Sequence, residues 1–98
     1  MQTIVAAQIG AIAGVQLVTG TLRQGYLHVL YVTAGTTGPA TLTIYDNANS
    51  AAGRILALVA ATTSTSSNAV DMGGTPFFFG LYAVVTGSGT PSAVVTYE

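Results

Sequence analysis

Ala40-Thr41-Leu42-Thr43-Ile44-Tyr45 is the run on which the fold turns. In an extended strand successive side chains point to opposite faces, so Leu42 and Ile44 share one side while Thr41, Thr43 and Tyr45 share the other. One face belongs to a core and the other to water or a pairing partner. Upstream lies the turn-rich Ala34-Gly35-Thr36-Thr37-Gly38-Pro39, and before it Tyr26 to Thr33 reads as another strand. Downstream, Asp46-Asn47-Ala48-Asn49-Ser50 stops the run, because Asx side chains hydrogen-bond their own backbone and accept turn geometry.

The same rhythm continues toward the C-terminus. Arg54 to Ala61 is ambiguous: Ala, Leu and Arg favour a helix that Asn49 or Ser50 could cap, whereas a strand would set Ile55, Ala57 and Val59 on one face. Strand is favoured for so short an apolar run. Polar Thr62 to Ser67 leads into a strand from Asn68 to Met72, which Gly73-Gly74-Thr75-Pro76 is expected to break. Phe77-Phe78-Phe79-Gly80 then opens a strand from Leu81 to Thr86. The hairpin-length Gly87-Ser88-Gly89-Thr90-Pro91 predicts that Ser92 to Tyr97 pairs back on Leu81 to Thr86.

One or two further strands, from Thr3 to Ala7 and Val15 to Leu22, bring the expected total to seven or eight. Ninety-eight residues fit one domain, which can bury roughly two thirds of its unfolded surface. The expectation is therefore all-β: a single antiparallel β-sandwich over residues 1–98, jelly-roll or Ig-like, with residues 1–22 as an N-terminal arm or edge strands.

Charge decides what such a domain can do. Half the residues are hydrophobic and only 5% are charged, against about 25% in an ordinary soluble domain. Arg23, Arg54, Asp46, Asp71 and Glu98 are the whole inventory, with a net charge of −1. The polar surface must come from Thr, Ser, Gly, Asn and Gln, which cost far less than ions to desolvate against a neighbour. Disorder would need low hydrophobicity and high net charge, and mean hydropathy here is positive. Without lysine or a basic run, the chain lacks the electrostatic footprint of nucleic-acid binding. With no cysteine, neither a disulfide nor a cysteine-ligated metal can form.

Ile4 to Leu22 carries no ionisable side chain and is long enough to be weighed as a membrane span. Gln8, Gln16, Thr19 and Thr21, and the lack of basic flanks or an aromatic belt, argue against that reading. No membrane partner is expected.

Catalysis needs titratable groups gathered in a cleft, and few are on offer. His28, the single histidine, lies in a strand and reads as a packing residue or a cross-strand hydrogen-bond partner. Asp46 and Asp71 both end predicted strands, where turn chemistry accounts for them. Glu98, the last residue, is expected to fray. No Gly-x-Ser-x-Gly occurs, and Asp46-Asn47-Ala48-Asn49 lacks the closing glutamate of a calcium loop. No catalytic, cofactor-binding or metal residue is assigned.

Two features point instead to contact surfaces. Phe77, Phe78 and Phe79 cannot all face inward on a strand, so at least one is expected at an outer face or an interface. The uncharged N-terminus, with Ile4, Val5, Ile9 and Ile12, could add a strand to a neighbour's sheet or form an edge of its own.

From about Gly14 to Glu98 the chain resembles the small β-proteins encoded among the virion genes of tailed bacteriophages. The resemblance lies in Gly25-Tyr26-Leu27, Val32-Thr33-Ala34-Gly35, Ala40 to Asn47, Gly53-Arg54-Ile55-Leu56-Ala57, Gly80 to Gly87 and Val94-Val95-Thr96-Tyr97. It implies a non-enzymatic virion structural protein on the capsid surface, a decoration or cement protein that self-associates as a homo-oligomer and binds the major capsid protein. The alternative is a carbohydrate-binding or adhesin-like module with Tyr26, Tyr31, Tyr45, Tyr82 and Tyr97 as stacking platforms.

Overall fold

A computed structural model describes residues 5–10, 12–16, 24–47, 52–87 and 89–98. Its strands are β1 (Val5–Gly10), β2 (Ile12–Gln16), β3 (Gly25–Thr33), β4 (Ala40–Asp46), β5 (Arg54–Ala61), β6 (Ser67–Phe77), β7 (Tyr82–Gly87) and β8 (Ser92–Tyr97). They form two antiparallel sheets, ordered β1-β8-β3-β6 and β2-β7-β4-β5. The described side chains that face one another between the sheets come from β3 to β8, three strands of each sheet. The backbone of β1 and β2 runs along one outer edge of each sheet. This is where the expected N-terminal edge strands fall, although shifted from Thr3 to Ala7 and Val15 to Leu22.

The alternation read from the sequence builds the core. On β4, Ala40, Leu42, Ile44 and Asp46 are buried while Thr41, Thr43 and Tyr45 are partly open. Leu42 and Ile44 meet Leu27, Leu30 and Val32 of β3, Val59 of β5, Val85 of β7, Val95 of β8, and Phe77 and Leu81, in one apolar cluster between the sheets. Removing each such side chain from water contributes about 1.5–3 kcal/mol. Arg54 to Ala61 is a strand, the tertiary pairing with β4 overriding its helix-forming composition.

Two expectations fail. β8 does not pair with β7: it lies between β1 and β3, while β7 lies between β2 and β4. The chain therefore passes from one sheet to the other between β7 and β8, and Gly89 is tied down by the Thr36 amide donating to its carbonyl at 2.9 Å. Nor does Gly73-Gly74-Thr75-Pro76 break the chain, because β6 continues through it to Phe77. Leu27 faces Thr75 and Val29 faces Asp71, so Met72, Gly73 and Gly74 stand opposite His28 alone. Gly73 (φ 63°) and Gly74 (φ 84°) take up this bulge in a left-handed conformation costly for other residues. The Asp71 carboxylate accepts from the Gly73 amide at 2.8 Å, the turn role expected of it.

Loops from the two sheets divide between two ends. At one, residues 34–39, 62–66 and 89–91 interlock: the Ala34 amide donates to Ser66, and that of Thr65 to Gly35. At the other meet the end of β4, the start of β5, the turn after β6, and the strand ends around Gly25 and Glu98.

Among the described residues no helix is long and apolar enough to cross a membrane, and the described part of Ile4 to Leu22 is strand.

Candidate interaction surface

Asp46 organises the second end. It is the buried polar residue of the core, 4% exposed, at the last position of β4. Its carboxylate accepts from the amides of Phe79 (2.7 Å) and Phe78 (3.0 Å) and from the Arg54 guanidinium (3.0 Å). Arg54 also donates to the Pro76 carbonyl at 3.1 Å. One carboxylate thus ties β4 and β5 of one sheet to the turn that leaves β6 of the other. The sequence reading of Asp46 as the opener of an Asx turn is corrected: the local role falls to Asn47, whose amide donates to the Ala52 carbonyl at 3.2 Å. Asp46 reaches inward because two backbone N–H groups and a cation compensate a buried carboxylate.

The three phenylalanines divide. Phe77 is core, packed edge-on against Tyr97 with ring centroids 6.5 Å apart, and so is no surface contact. Phe78 and Phe79, past the end of the strand, are 50% and 67% exposed. Phe78 lies under the Arg54 guanidinium, 5.7 Å from its ring centre. A turn pinned by one carboxylate through two consecutive amides presents both rings with little conformational freedom left to lose on binding.

Beside Phe78 opens a cleft of about 310 Å³ bounded by Gln24, Gly25, Tyr26, Pro76, Phe77 and Glu98. Gly25 is needed here, since a Cβ would collide with the Glu98 carbonyl and come within 2.7 Å of the Phe77 ring. Glu98 is not frayed: its amide donates to the Tyr26 carbonyl and its carbonyl accepts from the Tyr26 amide, both at 3.0 Å. Its side chain meets His28 Nε2, also at 3.0 Å, which makes His28 the cross-strand partner expected. Burial raises the Tyr97 phenol above its ordinary value of 10.0.

Further apolar side chains lie outward on both sheets: Val29 and Tyr31 on β3, and Ile55 and Leu58 on β5. Of the other tyrosines, Tyr45 and Tyr82 stand opposite each other on β4 and β7. Ile4 lies outside the described residues; Val5 and Ile9 fall on β1 and Ile12 on β2, at sheet edges. No group of three or more histidine, cysteine, aspartate or glutamate side chains that could hold a metal ion occurs among the described residues.

Sequence reasoning saw the phenylalanines but missed the Asp46 clamp and the cleft. Their parts come from residues around 24–26, 46, 54, 76–79 and 98, which no local pattern joins.

No family model, no curated protein and no solved structure matches this chain.

Proposed function

We propose that this protein is a non-enzymatic assembly subunit, a virion decoration or cement protein that self-associates and binds the major capsid protein on the capsid surface. The observation that carries the reading is the pinned, outward-facing pair Phe78 and Phe79 on a frame whose described surface carries very few charged side chains. Aromatic anchors held rigid beside a neutral surface are what a protein interface uses, since little charge has to be desolvated.

The strand order supports the jelly-roll form of the sandwich over the Ig-like one. First strand pairs with last, second with next to last, and so on inward to β4 with β5, each pair falling in the opposite sheet from the one before. That is the path of a long hairpin rolled into two sheets, an architecture that capsid and lectin domains use.

The test is co-sedimentation of the purified protein with empty shells of the major capsid protein, alongside light scattering on the free protein. Saturable binding and oligomers support the reading; a protein that stays monomeric and leaves the shells bare overturns it.

A second reading, a carbohydrate-binding module, rests on the cleft itself. Half-exposed Tyr26 offers a stacking face with Gln24 and Glu98 beside it as polar partners. A glycan array without hits removes it.

A further inference from the structure

The cleft end of the molecule carries both halves of a contact. The projecting half is Phe79, 67% exposed on a turn that Asp46 holds. The receiving half is the neighbouring 310 Å³ cleft with Tyr26, Pro76 and Phe78 as its apolar walls. Because Phe78 belongs to the cleft wall and Phe79 follows it directly, projection and recess lie side by side on one patch. Such a patch is self-complementary about a two-fold axis: each copy gives its ring and receives the other's.

Charge narrows the occupant. Arg54 is engaged by Asp46 and Glu98 by His28, each at 3.0 Å, so the charged side chains described around the cleft already have partners within the chain. A charged partner would have to compete with these internal contacts and be desolvated for little return. An uncharged aromatic is what fits, and every further copy of this chain supplies one.

We propose that Phe79 of one copy seats in the Tyr26–Pro76–Phe78 cleft of a second copy, reciprocally, as a homodimer. This rests on the self-association proposed above and names its surface. An aromatic side chain buries about 150–250 Å². With Phe78, Phe79 and Tyr26 contributed from each side plus a rim, the total is on the order of 1,000 Å², the lower end for a specific contact. A contact of that size is weak singly and sufficient when many copies sit on one lattice.

Analytical ultracentrifugation over a concentration series tests it with the full chain. Phe79→Ser is expected to weaken self-association at least about tenfold, and Leu58→Ser, on the outer face of the other sheet, to leave it unchanged. The native chain has no cysteine, so mixing Phe79→Cys with Tyr26→Cys under oxidised glutathione is expected to cross-link the two variants faster than either alone. If the native protein associates and Phe79→Ser associates equally well, the Phe79 contact is overturned while self-association stands. If the native protein is monomeric up to about 1 mM, both fail.

Discussion

The hydroxyl of Thr96 closes the gap that a bulge opens at Val29, accepting from its amide at 2.7 Å and donating to its carbonyl at 2.8 Å. Leu27 faces Tyr97 and Leu30 faces Val95, so His28 and Val29 together oppose Thr96. The backbone ladder is interrupted there, and one side chain restores both bonds. Thr96→Val keeps the shape and loses the bonds. It is expected to lower stability by about 1 kcal/mol, and Thr96→Ser to stay near the native value. A denaturant midpoint that falls for valine alone, at unchanged slope, is the check.

Asp46→Asn leaves two adjacent amides facing a group that can accept through one atom only. The loss is expected to be about 2–4 kcal/mol, because charged acceptors of buried N–H groups are costly to remove. Arg54→Met should cost less, under about 1 kcal/mol, since the Arg54 side chain is half exposed and its ion pair is screened by water. Hydrogen exchange at Phe78 and Phe79 should quicken in the first variant and change little in the second.

The period-two reading of β4 makes a paired prediction. Leu42→Ala is expected to destabilise by about 2–5 kcal/mol through loss of burial and the cavity left behind. Thr43→Ala, one residue along and on the outer face, should remain within about 0.5 kcal/mol. Equal effects would mean that the two faces are not distinguished.

Alkaline pH should weaken the fold through Tyr97. With its phenol raised by burial, the folded chain holds that proton more tightly than the unfolded chain does. The stabilisation is fully present below pH ~10 and is lost as pH rises through the folded value. Thermal melts of the native protein should therefore decline above about pH 10, and those of Tyr97→Phe should decline less.

Strands were legible because their signal is local: Arg54 to Ala61 and Ser92 to Tyr97 fall where turn residues and alternation put them, except that a register shift against β4 leaves Leu56 unpaired and turns Ile55 outward, off the face it was expected to share with Ala57 and Val59. Pairing was not. β7 and β8 carry nearly the same Ala and Val alternation, and the five residues from Gly87 to Pro91 suit a hairpin or a crossing equally well. What decides is that each sheet needs a central strand, which is a property of the whole fold. Gly73-Gly74 misled for a related reason, since the same glycines that end a strand also let one bulge and continue. Asp46 could not be assigned because its amide partners lie 32 and 33 residues away. The triple phenylalanine was read correctly in one respect: alternation forbids three inward rings, and Phe77 takes the inward place.

The nesting of first strand against last governs how the molecule comes into being. Val5 pairs with Tyr97, and β8 fills the middle of its sheet rather than the rim. As the chain leaves the ribosome, β1 must wait until β8 is made, and β3, which can pair with β6 first, waits as long for its second partner. High contact order of this kind places folding in the range of milliseconds to seconds. Throughout that wait, strands with almost no charge are open to one another, so yield from expression should depend on dilution and chaperone supply more than on the stability of the finished protein.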